Sequence, residues 1–155
     1  MATEIERKFL VISDAWRAAA APGIRFRQGY LSGTGKASVR VRVEGREANL
    51  NIKGATLGVR RREFEYAIPL DDANEMLDEL CTGGIVEKTR FLVPVGGHTW
   101  EVDVFEGANA GLVLAEIELE HEDEAFEKPA WVGAEVSDDR RYYNVYLAEH
   151  PYTTW

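Results

Sequence analysis

Ionic side chains occupy every second position in several short segments of this sequence. Residues 4–9 are Glu-Ile-Glu-Arg-Lys-Phe, so Glu4, Glu6 and Lys8 share one face if the segment is extended. Successive residues of a β-strand point to opposite faces, and a period of two is therefore typical of a strand with two unlike faces. Eight such segments begin near residues 4, 24, 39, 48, 61, 87, 100 and 115. The sequence predicts eight strands, each with one ionic face.

The ionic faces of these strands hold acids and bases in equal number. The acids are Glu4, Glu6, Glu63, Glu65, Glu101, Asp103, Glu116, Glu118 and Glu120, and the bases are Lys8, Arg25, Arg27, Arg40, Arg42, Lys53, Arg61, Lys88 and Arg90. Signs are grouped by strand, whereas a face shaped only for solubility would mix them. Grouped arginines suit phosphate oxygens, and carboxylates without His or Cys suit Mg²⁺ or Mn²⁺. Together the two sets predict a metal–polyphosphate site.

Two arrangements of the ionic faces are open at this point. In the first, an open antiparallel sheet exposes them to water, where cross-strand pairs contribute on the order of a few tenths of a kcal/mol each. In the second, the strands close into a barrel that has no exposed edge and encloses the charges in a wet channel. Glycine-rich turns at 32–35, 45–46, 54–58 and 96–97 favour hairpins, and hence antiparallel neighbours, in both arrangements.

Three segments outside the predicted strands have the pattern of helices. Ser13 can cap a short helix over residues 14–21. Asp72 resembles the first residue of a capping box, and its helix is expected to stop at Gly83. Ser137 can cap a last helix near the C-terminus.

Composition limits the classes of function. The 155 residues suit one domain spanning residues 1–155, and a net charge of −9 excludes a diffuse basic surface for nucleic acid. The longest apolar run, residues 18–22, is too short to span a bilayer. The single cysteine, Cys81, excludes an intrachain disulfide, and the N-terminal residues do not resemble a signal peptide. A cytoplasmic location is therefore expected.

Taken together, these charged pairs resemble the CYTH, or triphosphate tunnel metalloenzyme, superfamily. The matching elements, in chain order, are Glu4-x-Glu6-x-Lys8, Arg40-x-Arg42, Lys53, Glu63-x-Glu65, Lys88-x-Arg90, Asp103, Glu116-x-Glu118 and Arg141-Tyr142-x-Asn144. The resemblance implies a mostly β (α+β) fold: a closed eight-stranded antiparallel barrel, or tunnel, with a few helices outside. It also implies that a triphosphate binds in the tunnel with a divalent metal ion, Mg²⁺ or Mn²⁺.

The resemblance assigns roles to residues of this chain. Metal ligands are expected at Glu4, Glu6, Asp103, Glu116 and Glu118, and the phosphate clamp at Lys8, Arg27, Arg40, Arg42, Lys53, Lys88 and Arg90. Glu63 and Lys88 are expected to be catalytic. Tyr30 is a third catalytic candidate if a bulge at Gly29 turns it inward, since strict alternation points it away from Arg25 and Arg27. The alternative for Tyr30 is an ordinary core tyrosine.

The expected reaction is metal-dependent hydrolysis of inorganic tripolyphosphate to pyrophosphate and phosphate, with water as the nucleophile. A class IV-type adenylate cyclase, which converts ATP to cyclic AMP and pyrophosphate, is an alternative on the same charges. A thiamine or nucleoside triphosphatase and a polyphosphate-binding module are the others. Apolar residues on the outer face of the strands make a homodimer a further expectation.

Overall fold

The structure is a computed structural model that describes residues 2–33, 36–54 and 59–155. Within these ranges it contains nine strands: β1 (Ala2–Val11), β2 (Ile24–Gly33), β3 (Ala37–Glu44), β4 (Glu47–Gly54), β5 (Arg60–Ala67), β6 (Thr82–Val95), β7 (His98–Phe105), β8 (Val113–Glu118) and β9 (Val132–Glu135). The eight predicted strands are confirmed, and β9 is an addition. The turns predicted at 32–35 and 54–58 lie partly outside the described residues.

Strands β1 to β8 form a closed antiparallel barrel. Hydrogen-bonded neighbours follow the order β5-β4-β3-β2-β6-β7-β8-β1, and β5 pairs back onto β1 with Glu4 opposite Arg61. The short β9 pairs with the C-terminal part of β1, where Val11 lies opposite Val132. Closure pairs the strand edges that an open sheet would leave exposed. The second of the two arrangements considered above is therefore the observed one.

On the barrel strands other than β2, the mainly apolar face packs outside the barrel and the ionic face points inward. Trp100, Phe9 and Ile117 lie in one outer core, which Trp16 and Trp131 cover. Two smaller outer cores lie beneath the two α-helices of the described chain, α1 (Leu70–Glu79) and α2 (Asn144–Glu149). The large aromatic and aliphatic side chains on this side are buried away from water. Because side chains alternate along a strand, the charged ones between them face the barrel axis.

The helices differ from the prediction at their ends. The Ser13 segment forms only a 3₁₀ turn, Ala15–Ala19. Helix α1 begins at Leu70, directly after Pro69, so Asp72 lies inside its first turn. Its predicted stop, Gly83, belongs instead to β6, where φ is +72° and an added Cβ would lie 3.2 Å from the Ala148 carbonyl oxygen.

The C-terminal segment contains a 3₁₀ turn, Arg140–Tyr142, followed by α2. Ser137 caps neither of them. Its hydroxyl accepts a hydrogen bond from the Lys8 amide at 2.9 Å and donates one to Glu135, so it ties this segment to β1. The prediction of the cap was wrong because a serine before a helix can equally bond a neighbouring strand. None of the described helices has the length and apolar character needed to cross a membrane.

Candidate active site

The barrel encloses a cavity of about 340 Å³. All eight barrel strands contribute to its wall, and residues 143–145 of the C-terminal segment complete it. The predicted site residues that line it are Glu4, Glu6, Lys8, Tyr30, Arg40, Arg42, Lys53, Glu63, Lys88, Arg90, Glu116 and Glu118. The volume lies at the lower end of the roughly 300–1,000 Å³ usual for small-molecule sites. It suits a small, highly charged ligand.

Arg27, which the sequence placed in the expected phosphate clamp, lies outside the cavity. Its guanidinium faces Asn74 and Asp78 of α1 and Glu87 of β6. Phe26, and not Arg27, takes the inward position on β2. The period of two predicts that β2 has two unlike faces, but it does not say which face is inside. Glu87 lies opposite Arg27 across the strands and neutralises its charge on the outer surface.

Tyr30 lines the cavity because it shares the inward face of β2 with Phe26. The pairing of β2 is irregular on both sides of Tyr30, between Gln28 and Tyr30 and between Tyr30 and Ser32. The inward direction nevertheless follows from the phase of the strand and needs no bulge at Gly29. Tyr30 is also packed in the outer core with Val86, so it contacts both the cavity and the core.

Phe26 is a site residue that the sequence did not indicate. The guanidinium carbons of Arg42 and Arg90 lie 4.7 and 4.9 Å from its ring centroid, and Lys88 Nζ lies 5.9 Å away. The electron-rich face of an aromatic ring attracts cations at such distances. Phe26 therefore holds three cations of the cavity wall next to one another, which their mutual repulsion would otherwise oppose.

Two cations of the wall, Lys88 and Arg42, are buried, and their pKa values are lowered. Lys88 is only 1% exposed. Burial, with help from Arg90 and Arg42, lowers the pKa of Lys88 to about 7 although Asp103 opposes the shift. Burial and the neighbouring Arg40 lower the pKa of Arg42 to about 10. Burial disfavours the charged form of both cations, and an anionic ligand in the cavity would favour it again.

Asp103 lies behind the cavity wall. Its carboxylate accepts hydrogen bonds from Lys88 Nζ at 2.7 Å and from Arg90 Nε and Nη2 at 2.7 and 2.9 Å. Burial opposes its ionisation, yet Arg90 and Lys88 hold the pKa of Asp103 below its usual range. Both oxygens thus already serve two cations. Asp103, expected from the sequence as a metal ligand, thus contacts Lys88 and Arg90 and does not line the cavity.

The acidic part of the wall lies on the neighbouring strands β1 and β8, where Glu6 pairs with Glu118 across the ladder. Burial and the carboxylates of Glu116 and Glu4 raise the pKa of Glu6 to about 8. Burial likewise raises the pKa of Glu101 to about 7. Glu116 behaves oppositely, because Lys8 and Arg90 outweigh its burial and hold its pKa well below the usual value.

Several acids of the cavity wall contact a base on the same or a neighbouring part of the wall. Lys53 Nζ lies 3.0 Å from Glu4 and 3.7 Å from Glu63. Arg61 lies 3.3 Å from Glu6, and Lys8 lies 3.5 Å from Glu116. Over the residues described, no three His, Cys, Asp or Glu side chains converge as ready ligands for an ion. Oxygen-only donors and the protonation-prone Glu6 nevertheless fit a hard divalent cation, whose charge would favour ionised carboxylates.

The comparisons with known proteins agree with this geometry. Residues 2–144 match the model of the CYTH domain family. The chain belongs to the CYTH family. Membership implies a divalent metal ion, with which the acids of this CYTH domain are compatible.

Two relatives of this CYTH domain are named inorganic triphosphatase. The one from Acetivibrio thermocellus is 47% identical over 98% of this chain and 97% of the relative, and the one from Nitrosomonas europaea is 39% identical over 94% and 97%. A crystal structure of an inorganic triphosphatase is 38% identical, covers 96% of this chain and 95% of its own, and has a TM-score of 0.64. The similarity therefore extends over the whole barrel.

Several further polar residues that line the cavity or contact its wall were given no site role from the sequence. Arg61 and Glu101 line the cavity and stood on the predicted ionic faces, so alternation alone could have added them. Asn51 also alternates with Lys53, and its buried Oδ1 has no hydrogen-bond partner among the described atoms. Gln28 had no such signal, because the phase of β2 was assigned to its other face.

Proposed function

We propose that this CYTH domain hydrolyses inorganic tripolyphosphate to pyrophosphate and phosphate in the presence of Mg²⁺ or Mn²⁺. The observation that carries the proposal is the enclosed cavity in which basic and acidic side chains meet with perturbed pKa values. The names of the two relatives, at 47% and 39% identity, support the same substrate class.

The basic residues would neutralise the phosphate chain. Lys8, Arg40 and Arg42 lie on β1 and β3, and Lys53, Lys88 and Arg90 lie on β4 and β6, so the cations surround the cavity. Arginine grips phosphate oxygens with two parallel hydrogen bonds, and lysine acts as a compact point charge. The buried Nε of Arg40, which lacks a hydrogen-bond partner in the described structure, is a donor available for such a bond. The buried cations would then act where charge develops on the leaving pyrophosphate.

Water is the proposed nucleophile. Glu63, half-buried and 3.7 Å from Lys53, is the proposed base that would accept its proton. Lys88 is the proposed catalytic cation, because its ammonium is held by Asp103 while facing the cavity. The Tyr30 hydroxyl is proposed to contact substrate or Lys88.

Glu4, Glu6, Glu116 and Glu118 are the residues proposed to hold the metal ion. Their bases Lys53, Arg61 and Lys8 would turn towards the phosphate chain when it enters, which frees the carboxylates. A bound Mg²⁺ or Mn²⁺ would polarise a phosphoryl oxygen and neutralise part of the substrate charge. Asp103 is left out of this set because it is already engaged by Lys88 and Arg90.

We also propose a cytoplasmic location and a homodimer. Cys81 is a free thiol, which a reducing compartment preserves. Tyr66 is 56% exposed on the outer face of β5 near the half-buried Phe64, which offers an apolar surface to a second copy. Light scattering after size exclusion tests the dimer: Tyr66→Glu should give a monomer, and a wild-type chain that elutes as a monomer contradicts it.

A panel of substrates tests the reaction. Tripolyphosphate, ATP and thiamine triphosphate are each incubated with Mg²⁺, with Mn²⁺ and with chelator, and the products are separated. Equal amounts of pyrophosphate and phosphate are expected from tripolyphosphate with Mg²⁺ or Mn²⁺, and neither product is expected with chelator. Cyclic AMP from ATP would assign the cyclase, and tight binding of tripolyphosphate without turnover would assign a binding module. Either result would reject the proposed triphosphatase.

A further inference from the structure

A continuous chain of hydrogen bonds crosses the cavity wall from β6 to β3. Lys88 Nζ donates to Asn144 Oδ1 at 3.0 Å. The same oxygen accepts from Gln28 Nε2 at 3.1 Å, and Gln28 Oε1 accepts from Arg42 Nε at 2.8 Å. Two amide side chains thus connect two cations of the proposed phosphate clamp.

Gln28 is fully buried between the inward positions of Phe26 and Tyr30. Burial of an amide without partners is unfavourable, and here both ends of the amide are engaged. The Nε bond fixes the plane of the Arg42 guanidinium, which Phe26 supports from its ring face. An apolar side chain would fill this position without the free-energy cost of burying a polar group. The amide therefore has a purpose beyond packing.

Asn144 belongs to a segment, residues 142–144, that contacts other cations of the cavity. Lys8 Nζ donates to the Tyr142 carbonyl oxygen at 3.1 Å. The Tyr143 ring lies 5.3 Å from Lys8 Nζ and 5.7 Å from the guanidinium carbon of Arg61. One short segment therefore contacts cations from β1, β5 and β6, and reaches a fourth on β3 through Gln28.

The rest of the C-terminal region anchors this segment away from the cavity. Leu147 and Ala148 of α2 are buried in the outer core with Val86. Beyond α2, the Tyr152 amide donates to Asn109 Oδ1 at 2.8 Å, and Thr153 Oγ1 donates to the Ala108 carbonyl at 2.7 Å. The position of residues 142–144 is thus set by contacts that do not depend on a ligand.

We infer that Gln28 and Asn144 are positioning residues, which use the anchored segment 142–144 to hold Lys88 and Arg42 in the geometry that binds and cleaves the phosphate chain. The inference rests on the proposed function. Catalytic groups must be held within a few tenths of an ångström, and a displacement of about 1 Å can cost on the order of 10²-fold in rate. Lysine and arginine side chains have many rotamers, so preorganisation has to come from such partners.

The test uses Asn144→Ala, Gln28→Met and the double variant, with Asn74→Ala as the matched control. Asn74 accepts a hydrogen bond from Arg27 on the outer surface, so its substitution removes the same kind of bond outside the cavity. Asn144→Ala removes one of the two acceptors that hold the Lys88 ammonium and is expected to lower kcat on tripolyphosphate by about 10- to 100-fold with KM changed less than about threefold. Gln28→Met frees Arg42 and is expected chiefly to raise KM, by about tenfold.

A second readout needs no substrate. Exchange of the Arg42 Nε–H proton with water, followed by nuclear magnetic resonance on the free protein, should be slow in the wild type and fast in Gln28→Met. Asn144→Ala should accelerate it as well, because Gln28 loses its second partner. The double variant should reduce kcat/KM by less than the product of the single effects, since the two residues act in one chain.

Each outcome decides one of the two proposals. If the single variants keep kcat and KM within twofold of wild type and leave the Arg42 proton slow, the positioning role is refuted. If melting temperature falls in parallel with activity and a stabilised background restores both, Gln28 and Asn144 merely dock the segment, which also refutes the inference. A wild-type chain that does not cleave tripolyphosphate refutes the proposed function, while the proton-exchange result still judges the positioning chain.

Discussion

Side chains are fully buried both inside and outside the barrel, but polar contacts hold those inside and apolar contacts hold those outside. Trp100 in the outer core is fully buried among aromatic rings, and it packs edge-to-face on Phe9 at 5.4 Å and Trp131 at 5.7 Å. Lys88 inside is 1% exposed and is held by ions and amides. Edge-to-face aromatic packing and apolar burial stabilise the fold. Buried ion pairs roughly cancel their own desolvation, so the inner wall serves function at little gain in stability.

The largest expected effect is on the outer core. Trp100→Ala should lower the free energy of unfolding by about 3–5 kcal/mol, because it removes a large ring and leaves a cavity among Phe9 and Trp131. Urea denaturation monitored by circular dichroism measures the change. The folded fraction at low temperature should retain wild-type turnover. A loss below 1 kcal/mol would mean that the outer core does not support the barrel.

The inner wall should respond in the opposite way. Lys88→Met removes a cation from the proposed site of charge development and should lower kcat by about 10²–10³-fold. The free energy of unfolding should fall by less than in Trp100→Ala, because Asp103 loses one buried partner but keeps its hydrogen bonds from Arg90. Steady-state kinetics and urea denaturation of one preparation give both numbers. Unchanged turnover would remove Lys88 from the catalytic group.

The acids of the inner wall predict a pH-dependent stability. The folded-state pKa of Glu6 is raised from 4.5 to about 8, so the folded protein binds more protons than the unfolded chain between these values. Stability should therefore fall, by a few kcal/mol at most, as pH rises from about 4.5 towards 7. Glu101, with its pKa raised to about 7, acts in the same direction.

Glu6→Gln should flatten this slope, and excess Mg²⁺ should restore stability to the wild type at pH 7. Melting temperature against pH, with chelator and with Mg²⁺, provides the measurement. The window ends at pH 7 because the lowered pKa of Lys88 makes stability rise with pH above that value. A wild-type stability that increases between pH 5 and 7 would contradict the account of Glu6.

The smallest effect is expected on the outer surface of β2. Arg27→Met should leave kcat and KM for tripolyphosphate within about twofold of wild type, because its partners Asp78 and Glu87 lie outside the cavity. Partly exposed ion pairs contribute about 0–1 kcal/mol, so stability should hardly change. Arg42→Met is the contrasting variant on the inner wall. Equal losses of activity for the two arginines would show that the inside and outside of β2 had been confused.

The same contrast explains what the sequence could predict. Alternation gave the eight strands, and the grouped charges of Arg40, Arg42, Glu116 and Glu118 gave the wall of the cavity, because those strands have no second polar face. On β2, Arg25 and Arg27 compete with Gln28 and Tyr30 for the inner side. The outcome depends on Glu87, Glu106 and α1, which lie far away in sequence.

Other features depend on three-dimensional contacts that no local pattern encodes. Asp103 alternates like a wall residue, yet it lies directly opposite Arg90 in the β6–β7 ladder, where its carboxylate bonds Arg90 and Lys88. The link from Gln28 to Asn144 joins residues 116 positions apart. Strand β9 has only four residues and depends on its pairing with β1, so it has no pattern of its own.

The most direct test measures the products formed from tripolyphosphate by the wild type and by two variants, Lys88→Met inside the barrel and Arg27→Met outside. With Mg²⁺ or Mn²⁺, the account predicts equal release of pyrophosphate and phosphate by wild type and Arg27→Met, and near-complete loss in Lys88→Met. Turnover that persists in Lys88→Met, or a folded wild type that releases neither product with either cation, would contradict it.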